Sequence, residues 1–417
     1  MTENPREQRG LVIAATCNLI KKGDAWIVPS QSGNGKYTVV PDSISPHCSC
    51  PDHETTGGKC KHIFAVQFVI QRQLFDDGTV QETRTLTVTE TIKPPTYRQN
   101  WPAYNAAQVN EKAKFLTLLH DLCEGIPESD HRVSGRPRFP LRDAIFAACF
   151  KVYSTLSGRR FMTDLRDAKA KGLVRRAPSY NMIFKVFESQ ATFPCLQSLV
   201  VAAAEPLKAV ETSFACDSSG FSGRRFDRWF DHKHGSHKIQ RSWVKCHVMT
   251  GVKTNCVTAV EIHDQHAGDS PQLKPLLATT AENFRILEVS ADLAYSSNAN
   301  LYAIARAGGI PLIPFKSNAT PGTTRLWNHL YHYFHLHRPG FLARYHLRSN
   351  VESTFSMVKA KFGDGCRSKL EIAMKNEVLA KLVCHNICCL VQAMYELQID
   401  EPEFWPAPIE QQPTAAG

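Results

Sequence analysis

No stretch of the 417-residue chain approaches the roughly 18 consecutive apolar residues that a membrane-spanning helix needs. The segment from Met1 to Lys22 lacks the basic, apolar and small-residue succession of a secretory leader. The expectation is a soluble, unexported, cytoplasmic protein with no membrane partner. Internal repeats are absent too, which leaves no sign of a repeat array. Fourteen cysteines are present, but without the even spacing of a small secreted disulfide scaffold, so they read as reduced core or ligand thiols. Charge is modest at 21% of residues against 43% hydrophobic, which excludes disorder as the main state. The excess of 49 Lys and Arg over 39 Asp and Glu, a net +10, hints at a polyanionic partner without proving one.

The chain is longer than one ordinary domain. Residues 24–40 read as two strands, Trp26–Ser30 and Lys36–Val40, about a turn holding Gly33, Asn34 and Gly35. Residues 76–104 have linker composition, rich in Thr and carrying Pro94 and Pro95. Residues 105–205 have helical apolar spacing. Short β-rich runs at 212–217, 243–249, 256–262, 286–291 and 310–315 then alternate with helical text at 270–278 and 297–307, the mark of an α/β sheet. Long helix returns at 344–397, and residues 398–417 read as a loose tail.

Two constellations carry chemistry. The first is Cys48-x-Cys50, nine residues, then Cys60-x-His62: three thiolates and an imidazole, a donor set for tetrahedral zinc. Cys48 and Cys50 alternate on extended chain and point the same way. Gly57 and Gly58 let the chain return. A fragment this small would draw much of its folding free energy from the ion. With the preceding hairpin and the CKHIFAV run after it, residues 24 to about 70 resemble a SWIM-type zinc finger, a family whose members bind DNA or protein.

The second lies in the C-terminal half. Asp217 and Asp292 each end a strand, at the sheet edge where α/β folds bind ligands. Tyr345, Arg348, Glu352 and Lys359 stand at offsets that, at about 100° per residue, fall within a stripe roughly 60° wide on one helix. A phenol, a guanidinium, a carboxylate and an ammonium on one face make a poor core and a sensible phosphate and metal site. Singly, each member is bland: an acid at a strand end is usually a solvated turn, and Arg348 with Glu352 is a surface ion pair worth under about 1 kcal/mol.

Together, the Y-x2-R-x3-E-x6-K spacing and the two upstream acids resemble the DDE transposases of bacterial insertion sequences, in the Y-R-E-K branch, over residues 140–397. The resemblance implies an RNase H-like mixed five-stranded sheet with flanking helices, with acids on the first and fourth strands and on a later helix. It implies that Asp217, Asp292 and Glu352 are catalytic and hold two magnesium or manganese ions. Asp217 would bridge the ions. Tyr345, Arg348 and Lys359, with Arg224, Arg225 and Lys316, would contact DNA phosphates. The implied partners are double-stranded element ends and target DNA, bound by a homodimer associated with the nucleoid. The expected domains are the finger at 12–75, a linker at 76–104, a helical DNA-binding region at 105–205, a catalytic domain at 206–397 and a tail. The competing functions are a transposase-derived regulator that no longer cuts and a metal-dependent nuclease that never joins.

Basic residues cluster between Arg159 and Arg176 and between Arg224 and Lys245, the latter interleaved with Phe226, Trp229 and Phe230 as in a phosphate-tracking groove. Asp269, ahead of Ser270 and Pro271, reads as a helix start. His329, His332, His335 and His337 lie among aromatics, and Cys384, His385, Cys388 and Cys389 lie in an apolar helix. The histidines read as packing or DNA contact and the cysteine group as packing, neither as a metal site.

Overall fold

Trp26, Val28 and Val39 are buried between more exposed neighbours on short strands, and that period-2 pattern seeds a small sheet. A computed structural model of the chain describes residues 5–31, 35–42, 45–74, 80–84, 100–128, 139–223, 243–322 and 324–405. The chain divides into two units, residues 1–97 with 315–344 and residues 98–314 with 345–417.

In the first unit, helix α1 (Pro5–Thr16) precedes strands β1 (Ile20–Lys22), β2 (Ala25–Pro29), β3 (Lys36–Val40) and β4 (His47–Cys48), an antiparallel sheet in chain order. Helices α2 (Pro51–Thr56) and α3 (Lys61–Val69) follow, and β5 (Ile70–Leu74) pairs antiparallel with β6 (Val80–Arg84). The core gathers Ile13 from α1, Trp26, Val28 and Val39 from the sheet, and Ile63 and Val66 from α3. Helix α1 begins before the expected finger boundary at residue 12 and completes this core. Gly10 is what lets it approach: a Cβ there would come within 2.5 Å of the Phe64 Cβ.

The second unit opens with a helical array, α4 (Trp101–Glu124), α5 (Leu141–Ser154), α6 (Gly158–Ala170), α7 (Tyr180–Glu188) and α8 (Thr192–Ala204). Then come β7 (Ser213–Gly223), β8 (Trp243–Gly251), β9 (Val257–Asp264), α9 (Leu273–Asn283), β10 (Glu288–Ala291), α10 (Asn298–Arg306) and β11 (Ile310–Leu312). After α11 (Arg325–Leu336) and α12 (Arg338–Tyr345), the chain ends its order with α13 (Ser349–Phe362), β12 (Gly365–Cys366) and α14 (Glu371–Glu396). Helix α11 packs against α1 in the first unit, with Phe315, Trp327, Tyr331 and Phe334 forming an aromatic cluster there. Residues 315–344, read from sequence within the 206–397 region, thus group with the N-terminal unit.

The large sheet runs β11-β10-β7-β8-β9, with β12 also paired to β7. Strands β7, β8 and β9 are antiparallel, and β10, β11 and β12 join in parallel. This is the RNase H-like mixed sheet that the sequence predicts, with the short β12 added.

Helix α14 is the organising rod. It is the one helix among the described residues long and apolar enough to cross a membrane, yet 78% of that window is buried inside the protein. Counting consecutive apolar residues misses it, because isolated polar groups interrupt the run. Helices α4, α5, α7 and α8 pack around it. Several of its buried polar groups are spent on neighbours. Asn376 donates to the Phe187 and Ser189 carbonyls at the end of α7. Asn386 donates to the Val200 and Val257 carbonyls and accepts from the Val257 N–H, tying α8 to the start of β9. His385 donates through Nε2 to the Asn255 carbonyl at 2.9 Å, and burial lowers its pKa to about 4, so it stays neutral. The beginning of the expected tail is docked, since the Trp405 indole donates to the Leu122 carbonyl at 3.2 Å.

Candidate active site and metal centre

In the first unit the strand end and two helix starts bring four donors together. Cys48 is on β4, Cys50 is the N-cap of α2, Cys60 is the N-cap of α3 and His62 is in the first turn of α3. Their ligand atoms lie within 4.8 Å of one another, and all four side chains are buried. The His62 Nδ1 is 3.8 Å from the Cys48 Sγ and 3.9 Å from the Cys60 Sγ. Zinc bonds of about 2.3 Å to sulfur and about 2.0 Å to nitrogen give tetrahedral edges of roughly 3.6 Å, so little closure is needed. Two of the thiols also sit at helix N-termini, where the backbone dipole favours a thiolate. A hydrogen bond from Cys48 holds the Cys60 thiol well below its usual range, while the same bond and burial push Cys48 up. Three cysteine sulfurs and an imidazole this close form a ready donor set for a cation. The donor set fits zinc.

In the second unit, β7 and β10 are paired in parallel with Ala291 opposite Cys216. Asp292 remains extended, at φ −67° and ψ 165°, so the next step of that register brings it beside Asp217 across one strand spacing, roughly 4.8 Å. Each carboxylate accepts from the following backbone N–H, Asp217 from Ser218 at 2.7 Å and Asp292 from Leu293 at 2.6 Å. Glu352 comes from α13, which packs on β7. Arg348 links the acids, with Nη1 3.1 Å from the Asp217 Oδ2 and Nη2 2.5 Å from the Glu352 Oε1. Lys359 donates to the Ser219 hydroxyl at 2.6 Å. Asp217, Ser218, Ser219, Glu352 and Lys359 line one cleft of about 640 Å³.

Burial raises the Asp217 carboxyl above its ordinary range, and the charges of Asp292 and Glu352 push the same way, against the Ser218 N–H and Arg348. Three carboxylates stand against the Arg348 guanidinium and the Lys359 ammonium, an excess of acid that suits divalent cations with oxygen ligands. The Tyr345 ring lies under the Arg348 guanidinium at 5.9 Å, and burial keeps its phenol protonated as a donor.

The four residues expected on one regular helix do not share one. Helix α12 ends at Tyr345, a 3₁₀ turn covers His346–Arg348, and α13 starts at Ser349. Tyr345 and Arg348 nevertheless meet, and Arg348 meets Glu352. Arg224 and Arg225, with the aromatic-basic run to Arg241, lie outside the described residues. Lys316 is exposed and belongs to the first unit.

Asp269 starts a helical turn as read, standing at the N-cap of the 3₁₀ turn Ser270–Gln272 with Pro271 in it, but its side chain makes no cap bond; its carboxylate accepts from the Ser218 hydroxyl at 2.8 Å and lies 2.8 Å from the Lys245 ammonium. Burial alone would raise this carboxyl, but the bonds from Lys245 and Ser218 hold it below its usual range. Lys245 is therefore spent on Asp269 and on the Ala267 carbonyl, not on a phosphate-tracking groove. Asp269 steadies Ser218, whose N–H holds Asp217. No local pattern announces this, because the contact joins β7 to a turn 51 residues away.

Residues 209–387 match the family described as the transposase DDE domain. No curated protein matches the chain. The chain carries a transposase-type catalytic domain, and the enzyme class read from the sequence stands on that match.

Proposed function

We propose that the protein is an insertion-sequence transposase that cleaves DNA at element ends and joins the freed 3′-hydroxyl to target DNA. The observation that carries this is the β7–β10 register that brings Asp292 beside Asp217, with Glu352 tied to Asp217 through Arg348. Asp217, Asp292 and Glu352 would hold two magnesium or manganese ions, which when bound activate the attacking oxygen and offset charge on the leaving one. Asp217, tied to Glu352 through Arg348 and next in register to Asp292, would be the central acid of the set. Arg348 presents a planar fork that can move from carboxylates to a phosphate, and Lys359 offers a point charge. The Tyr345 phenol donates a hydrogen bond to a phosphate oxygen near the cut. The Ser218 N–H keeps one Asp217 oxygen oriented throughout.

The DNA partner is supported by charge. Residues 158–188 hold eight Arg and Lys against three Asp and Glu, half of the chain's net +10. Helix α7 exposes Asn181, Phe184 and Lys185 on one face, and Arg159 lies over the Tyr180 ring at 5.3 Å. A basic face with an exposed aromatic suits duplex DNA. The finger at Cys48–His62 is read as SWIM-type, a small domain for DNA or protein.

Strand transfer with labelled element ends, magnesium and a target plasmid tests the function. Joined products are expected from the natural protein and none from Asp217→Ala, Asp292→Ala or Glu352→Ala. Normal joining by those variants would refute the site. Cleavage without joining would make the protein a nuclease, and binding without cleavage a regulator.

A further inference from the structure

The turn from α13 to α14 is held by two buried charges on α14. Glu377 and Lys381 stand four residues apart, on one face of the helix, with relative exposures of 5% and 1%. The Glu377 carboxylate accepts from the Arg367 N–H at 3.0 Å and from the Ser368 N–H at 2.9 Å. The Lys381 ammonium donates to the Gly363 carbonyl at 2.9 Å and the Gly365 carbonyl at 3.0 Å. Between them they grip both kinds of backbone group along residues 363–368.

That stretch sets where α13 lies. Gly363 ends the helix at φ 86°, a conformation that favours glycine, and its N–H closes onto the Lys359 carbonyl. Two residues on, β12 pairs with Ser222 and Gly223 of β7, the strand that carries Asp217. The Lys381 and Lys359 ammoniums both lie over the Phe221 ring of β7, at 5.5 and 5.2 Å. Arg367 extends the grip outward, donating to the Thr155 and Leu156 carbonyls. A buried ammonium and a buried carboxylate are costly groups to keep in a core, and an apolar pair would usually fold as well. Their specific work is on backbone position.

We propose that Glu377 and Lys381 are positioning residues for the active site. They fix the end of α13 against β7 and thereby hold Glu352 and Lys359 at their distance from Asp217. Neither touches DNA or the reacting atoms. This rests on the catalytic reading above, and predicts a defect in the use of metal rather than in DNA binding.

The test uses the full chain with Lys381→Met, which keeps the stem and removes both donors, and Glu377→Gln, which cannot accept two N–H groups through the same pair of oxygens. DNA binding is measured without added magnesium or manganese, and strand transfer is measured at saturating DNA across a magnesium series. The expected result is DNA affinity within about twofold of the natural protein, a tenfold or greater loss of joining, and a several-fold rise in the magnesium needed for half-maximal rate. Manganese, which binds carboxylates more tightly, should recover part of the loss.

If either folded variant keeps the natural magnesium midpoint, and its activity loss merely follows the folded fraction by circular dichroism, the residues are structural only and the proposal fails. Lys381→Met failing to fold leaves Glu377→Gln to decide. Should Asp217→Ala and Glu352→Ala join ends normally, the catalytic reading itself fails. Should those be dead while the Glu377 and Lys381 variants keep the natural metal dependence, only the positioning role fails.

Discussion

Asp217 shows what a residue costs when its surroundings are arranged for function. Its carboxyl is raised by burial first and by the charges of Asp292 and Glu352 next. A raised carboxyl pKa favours the fold below the unfolded value, near 3.8, and that favour is lost as pH rises through the folded value. At neutral pH the ionised Asp217 therefore works against the fold. Asp217→Asn should stabilise the metal-free protein at pH 7–8, by on the order of 1 kcal/mol or about 1–3 °C. The gain should shrink as the pH falls toward 4. Thermal melts without added magnesium or manganese, at several pH values, check it, and a variant that melts below the natural protein at pH 8 would contradict the electrostatic account. Arg348 opposes this cost at Asp217, so Arg348→Ala should widen the gain.

At the scale of elements, two sets of bonds decide stability. Asn386 on α14 satisfies the Val257 N–H and two carbonyls from α8 and β9, all buried. Asn386→Ala leaves those groups unpaired, and the loss should be roughly 2–4 kcal/mol, read as a lower urea midpoint with an unchanged slope. In the first unit, one zinc per chain is expected by metal analysis. Cys60→Ser should release it, and chelation should melt the finger, since its sheet, α1 and α3 share one core with the four ligands. Zinc retained by Cys60→Ser would show that the cluster is not the binding site.

These elements differ in how far the chain announces them. Strand β10 is legible because a buried strand leaves a continuous apolar run ending in an acid, Asp292; β7 instead runs on past Asp217 to Gly223, so that acid lies mid-strand and not at the strand end its apolar run suggests, while the Cys and His spacing is legible because all four ligands fall within one short window. Helix α1 is not, because its partner α3 lies some 50 residues on and only Gly10 marks the close approach. The 3₁₀ step between Tyr345 and Ser349 leaves the angular stripe nearly intact, so periodicity alone cannot detect it. Asp269, Glu377 and Lys381 act through long-range bonds to backbone and side chains, which no local spacing encodes.

For the whole molecule the deciding quantity is where the net charge lies. Half of the +10 falls within residues 158–188, on α6, α7 and the connection between them, while acids dominate the cleft near Asp217. Arg159, Arg160 and Lys185 are exposed and make no ion pair with a described residue. Intramolecular pairing therefore does not compete with phosphate for them. Each phosphate left without its protein cation should flatten the logarithmic dependence of affinity on salt by about 0.9. Replacing Arg159, Arg160 and Lys185 together by alanine should reduce that slope by roughly 2–3 and weaken DNA binding at low salt. The zinc content and thermal midpoint should stay near those of the natural protein, because none of the three is buried. Asp217→Ala, measured alongside without metal, should keep the natural slope. A triple variant with an unaltered slope would move the DNA path away from α6 and α7, and the remaining basic excess would then have to carry it.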